Sequence, residues 1–152
     1  MPNIGDQRFY RAVIYICNHD HKGAMGFVLN DVLPNMVFEN LLEELNIKES
    51  VIVSPKISKM PIYRGGPMET GRGFVIHEST FSQKDTIKVT NNVAITGTIE
   101  ALTAVAENRG PNKCQIIFGH AGWEAGQLEQ ELQENGWLVC DADLSLIFDV
   151  PY

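Results

Sequence analysis

Three side chains that bind metals, Cys17, His19 and His21, recur at every second position of CNHDH (17–21). On an extended strand this spacing puts all three on one face, and zinc accepts thiolate and imidazole donors of that kind. A turn read at Asp20 interrupts the alternation, and three ligands fall short of a closed structural site. The preferred reading puts Cys17 in the core, His19 on the loop backbone and His21 in solvent, with no metal and no cofactor.

A second chemistry is suggested by RGGPMETGRG (64–73). Gly65, Gly66, Gly71 and Gly73 expose backbone N–H groups, and Arg72 binds phosphate bidentately, so the stretch could cradle an anion. It lacks the GK[ST] ending of a phosphate-binding loop and leads into a strand instead of a helix. The competing reading is a turn that needs glycine conformations, with Arg72 paired to Glu69.

His19 and His77 are the side chains best suited to titrate near neutral pH. With Glu129 they would form an acid–base set if the fold joined them, which is the basis for an alternative reading as a hydrolase. No G-x-S-x-G elbow and no Cys–His signature supplies a nucleophile. In GHAGWEAGQLEQEL (119–132), Gly119 and Gly122 turn the chain out of a strand, and Trp123 plugs the joint to a following helix. Glu124 and Glu129 occupy the free N–H groups of that helix, while Gln127 remains available to a loop or a ligand amide.

The elements that must position these residues follow from periodicity. RAVIYICN (11–18) is a continuous apolar run, expected to be a strand buried on both faces, and AMGFVLN (24–30) its hairpin partner. VFENLLEELN (37–46) changes to a helical period, with Val37, Leu41, Leu42 and Leu45 inward. KESVIVSPKISKM (48–60) reads as an exposed loop, 61–77 as strand, glycine turn and strand, and DTIKVT (85–90) as an edge strand. VAIT (93–96), a helix capped by Thr98 and CQIIFGH (114–120) form a strand–helix–strand unit that implies a parallel crossover. That helix turns Ile99, Leu102, Val105 and Ala106 inward and stops at Gly110 and Pro111. EAGQLEQELQENG is a second helix ending at Gly136, and WLVC (137–140) and LSLIFDV (144–150) are short extended pieces.

The 152 residues suit one domain with a real core, and 44% hydrophobic with 20% charged residues is ordinary globular composition. The net charge of −7 argues against nucleic acid, whose affinity rests on Lys and Arg. Three widely spaced cysteines in apolar stretches fit reduced, buried thiols in a cytoplasmic protein. No run of roughly 18 apolar residues suggests a membrane span.

FYRAVIYICNHDHKGAMGFVLN, RGGPMETGRGFVIH and IIFGHAGWEAGQLEQELQENGWL resemble, in order and spacing, three signature blocks of the YqgE/AlgH family of uncharacterised bacterial proteins. The likeness runs from Met1 to Phe148 and is most specific in the glycine–tryptophan turn followed by GQLE. It implies a single α/β (α+β-like) domain with a large mixed sheet. It implies no reaction, only a transcription-regulator label carried by one member. Relatives have a further N-terminal strand and a C-terminal helix, and an unpaired sheet edge in this chain would be a site for dimerisation. The resemblance covers His19 and His77 but neither Cys17 nor His21, and His120 stands where the family commonly has tyrosine or another residue. The expectation is a cytoplasmic, non-enzymatic binding or regulatory protein. It would contact a protein or small ligand through Gly65, Gly66, Arg72, Trp123 and Gln127.

Overall fold

The computed structural model describes residues 11–45, 55–111 and 113–149. Among the described residues, eight strands form one mixed sheet: β1 (Ile14–Asp20), β2 (Gly23–Val28), β3 (Val32–Val37), β4 (Pro61–Arg64), β5 (Met68–Glu78), β6 (Ile87–Lys88), β7 (Val93–Thr96) and β8 (Cys114–Glu124). Four helices, α1 (Phe38–Glu44), α2 (Pro55–Ser58), α3 (Ile99–Ala106) and α4 (Gln127–Gln133), and a π-helical turn, α5 (Ser145–Asp149), complete it. Of the loop expected over 48–60, the part before Pro55 lies outside the described residues, and Pro55–Ser58 is helical, not loop.

β8 is the axis. Its first half runs between β4, in parallel, and β5, antiparallel, and its second half pairs antiparallel with β2. The order β1-β2-β8-β5-β7-β6 leaves β1 at one edge and β6 at the other, with β3 paired to β4. β2 and β4 share one edge of β8 end to end, joined where Val28 donates to the Gly65 carbonyl and Gly65 donates to Phe118. Gly119, at φ 79°, kinks β8 midway between the two partners.

Both faces of the sheet are covered. Val75 and Ile116 point toward α1 and α3, packing with Phe38, Leu42 and Leu102. Phe74, Ile76 and Ile117 point the other way, with Phe27, Tyr15 and Ile147 of α5. This alternation is the period-two signature of strands clad on both sides. A third, smaller cluster holds Trp123 against Leu128 of α4 and Trp137. Among the described residues no helix is long and apolar enough to cross a membrane.

Several expectations need correction. Residues 11–18 are not buried on both faces: β1 is an edge strand, and Val13 and Ile16 are exposed. β7 and β8 run in the same direction, as the crossover requires, but β5 is inserted antiparallel between them. Ile99 points to solvent, and Ala101, Ala104 and Val105 with Leu102 and Ala106 form the inward face of α3. The glycine stops are displaced. Asn108 (φ 58°) and Asn135 (φ 59°) take the left-handed position, and the next amides, Arg109 and Gly136, close 2.9 and 2.8 Å bonds back to Ala104 and Glu131. Asparagine tolerates that conformation because its short polar side chain relieves the cost. Residues 145–149 are helical, not extended, with Asp143 accepting from the Ser145 hydroxyl and the Leu146 amide at their start. Cys140 is exposed, unlike the half-buried Cys17 and Cys114. Thr98 caps α3 as expected, its hydroxyl accepting from the Ala101 amide.

Candidate functional site

Trp123 lies within β8, and the turn into α4 comes later, at Ala125–Gly126. Its ring is buried against Leu128 and meets the Trp137 ring edge to face at 6.0 Å and 73°. Both indole N–H groups donate to one oxygen of Glu131, at 3.0 Å from Trp123 and 2.8 Å from Trp137. The other Glu131 oxygen accepts from Gln127, whose carbonyl oxygen accepts from the Glu124 amide at 2.9 Å. Gln127 is therefore occupied in closing the turn. Glu131 was not among the sequence candidates, although its i+4 spacing from Gln127 on a helix is a readable signal.

His19 sits on β1 opposite Ala24, which pairs in turn with Trp123. Its Nε2 meets the Glu129 carboxylate at 3.0 Å, so it joins β1 to α4 and does not bond the loop backbone as expected. That bond is the main reason the Glu129 carboxyl is held below its usual range. Beside this link opens a groove of about 570 Å³, lined by residues 12–16 at the start of β1, both tryptophans and Leu138, Val139 and Cys140. Its volume suits a ligand site, and apolar walls with few polar groups are the usual lining of one. The chain has two tryptophans, and both face this groove.

The glycine-rich stretch is a packing joint. A side chain on Gly66 would strike the His120 carbonyl, and one on Gly65 would strike the Gly119 carbonyl, because the two segments cross backbone to backbone. Gly65 and Gly66 are buried and present no surface to an anion. Arg72 pairs with Glu69 at 3.6 Å, as expected of a turn, and also lies 4.9 Å over the Phe74 ring. Arg72 also borders a smaller cavity of about 220 Å³ with Gly97, Thr98 and Leu102. Arg72 and Trp123 thus line different cavities, and the single surface expected to join them is divided. Two features here escaped the sequence reading. Glu69 adopts φ 46°, and the buried His120 faces it at 4.0 Å while its Nδ1 has no hydrogen-bond partner among the described residues.

His77 is fully buried on β5, opposite Cys114 at the first residue of β8, whereas His19 lies beside the last turn of that strand. The two histidines do not share a site. Nδ1 of His77 donates to the Glu78 carbonyl at 2.8 Å, and Nε2 meets the Thr96 hydroxyl at 2.8 Å. Burial pushes its pKa down, against the needs of a base working at neutral pH. Burial likewise pushes the Cys17 thiol up to about 12 and the Cys114 thiol up to about 11, which keeps both protonated and weakly nucleophilic. In β1 the register slips at Cys17, breaking the alternation earlier than Asp20, and His21 falls in the turn. Among the described residues no group of three or more His, Cys, Asp or Glu side chains is placed to hold a metal ion.

A family model described as AlgH-like matches residues 1–152. The chain belongs to the AlgH-like family. An uncharacterised relative of this AlgH-like chain, in Beijerinckia indica, is 46% identical over 98% of the chain and 75% of the relative. One in Marinomonas is 43% identical over 99% of the chain and 78% of the relative. The solution structure of AlgH from Pseudomonas aeruginosa is 40% identical, with a TM-score of 0.81 over 99% of this chain and 78% of that one. A crystal structure from Corynebacterium diphtheriae, 21% identical with a TM-score of 0.69, shares the AlgH-like fold.

Proposed function

We propose that this AlgH-like chain is a cytoplasmic, non-enzymatic binding protein whose recognition surface is the groove between the β1 edge and residues 137–140. The observation that carries this reading is the groove's lining. Two aromatic anchors stand over exposed Val13, Ile16, Leu138 and Val139, and no lysine or arginine is among the lining residues. Exposed apolar surface grouped in this way marks an interaction site more often than an accident of packing. The paired Trp123 and Trp137, fixed by Glu131, are rigid anchors of the kind that dominates binding energy.

Nile red, a neutral apolar dye, tests the reading. Its emission should rise and shift to shorter wavelength on mixing with the protein, with quenching of the tryptophans. Both effects should be lost in the double variant Leu138→Asp/Val139→Asp, whose replaced side chains are exposed and whose fold circular dichroism checks. Dye binding that survives the double replacement would place the apolar surface elsewhere and end the proposal. Direct DNA binding is not part of it. At −7 the chain should show no retention of a DNA duplex even at low salt, where phosphate contacts are strongest.

A further inference from the structure

The shape of the groove narrows what fills it. One wall is residues 12–16, of which Ile14, Tyr15 and Ile16 open β1 and pair in regular register with β2 ahead of the slip at Cys17. Among the described residues β1 pairs only with β2, on its other side. A regular strand edge carries a row of N–H and C=O groups ready to pair with another chain. The opposite wall, 137–140, has Leu138 at 84% and Val139 at 78% exposure, side chains with no apolar cover. A slot between a strand edge and an apolar run fits an extended chain better than a compact molecule.

Charge selects among extended chains. Glu129, at the His19 end, and Asp141, between the lining residues Cys140 and Ala142, border the slot, and Arg11 adjoins it at Ala12. The protein as a whole carries −7. An incoming segment with an apolar centre and lysines beside it would meet carboxylates, whereas a second copy of this chain would bring more negative charge to the same place.

We infer that the groove binds an extended, apolar-centred peptide with basic flanks, which adds to the sheet as a strand alongside β1. This rests on the proposed groove and adds the class of partner and its backbone pairing.

The test uses the full chain and three synthetic probes: the capped peptide KVTVTVK, the same peptide N-methylated on alternate residues, and EVTVTVE. KVTVTVK should quench the tryptophans and slow hydrogen exchange of the Ile14 and Ile16 amides, which alternate with Val13 and Tyr15 and so face away from β2. N-methylation keeps the side chains and removes donors, so it should weaken binding about tenfold or more. EVTVTVE should bind more weakly than KVTVTVK at low salt, with the gap closing as salt is added. The Glu129→Gln variant should lose part of the preference for lysine.

Equal binding of the N-methylated peptide overturns strand addition. Equal binding of EVTVTVE overturns the basic-flank claim. Ile14 and Ile16 amides already protected in the free protein, or protected only as the chain self-associates, would assign the edge to this chain itself and overturn the inference. Nile red binding without any peptide binding sinks the peptide claim and leaves the groove standing. Loss of both removes the two together.

Discussion

The Gln83 backbone N–H donates to the Thr86 hydroxyl at 2.8 Å, and the hydroxyls of Thr86 and Thr96 meet at 2.7 Å. Thr96 then meets His77, whose other ring nitrogen faces the Glu78 carbonyl. A carbonyl only accepts, so Nδ1 carries the proton, Nε2 accepts from Thr96, and Thr96 accepts from Thr86. The chain of bonds closes in this direction only with a neutral imidazole. Because burial lowers the folded-state pKa of His77, the unfolded chain takes up the proton first as pH falls. The stability contributed by neutral His77 is therefore complete above its ordinary value near 6.5 and is lost as pH drops below it. Urea midpoints at pH 7.5 and 5.5 should show this fall, and it should shrink in His77→Phe; equal falls would remove the argument. Thr96→Val leaves Nε2 buried without a donor and should cost about 1–3 kcal/mol in urea unfolding at pH 7.5.

At the scale of elements, backbone conformation and close approach decide. Asn135 and Asn108 end α4 and α3 in the left-handed region, so Asn135→Gly should leave the urea midpoint level or raise it, while Asn135→Ala should cost about 1 kcal/mol. Gly66→Ala forces a side chain into the His120 backbone, where nothing flexible can give way, and should abolish soluble folded protein. Gly71→Ala, in the same glycine-rich stretch, meets open space and should fold normally by circular dichroism. A glycine count cannot separate those two positions, because the crossing with Gly119 exists only once β4 and β8 are paired. The same limit governed the rest. Local period revealed α1, the β1–β2 hairpin and the Thr98 cap, whose signals lie within a few residues. The edge position of β1 and the insertion of β5 beside β8 depend on pairings between distant segments. At the site, Trp123 and Glu129 were legible from the glycine–tryptophan turn and the helix start. For Glu131 only the i+4 spacing from Gln127 was legible, since its bonds to the tryptophans depend on Trp137 folding back to share it with Trp123.

For the molecule as a whole, β8 touches β2, β4 and β5, and the two covered faces both depend on it. In a chain made from its N-terminus, that common partner arrives late: β2 ends at Val28, and β8 is complete only at Glu124. At ribosomal rates of about 5–20 residues per second, the first hairpin waits roughly 5–20 s for its neighbour. During that interval Phe27 and Ile62 have no β8 to pack on, and the strands that will flank β8 are open edges. Long-range pairing of this kind folds slowly and invites association with other chains. Nascent chains stalled before Cys114 should therefore be protease-sensitive and bound by chaperones. Release of the chaperone should coincide with emergence of β8, so that folding waits for that strand.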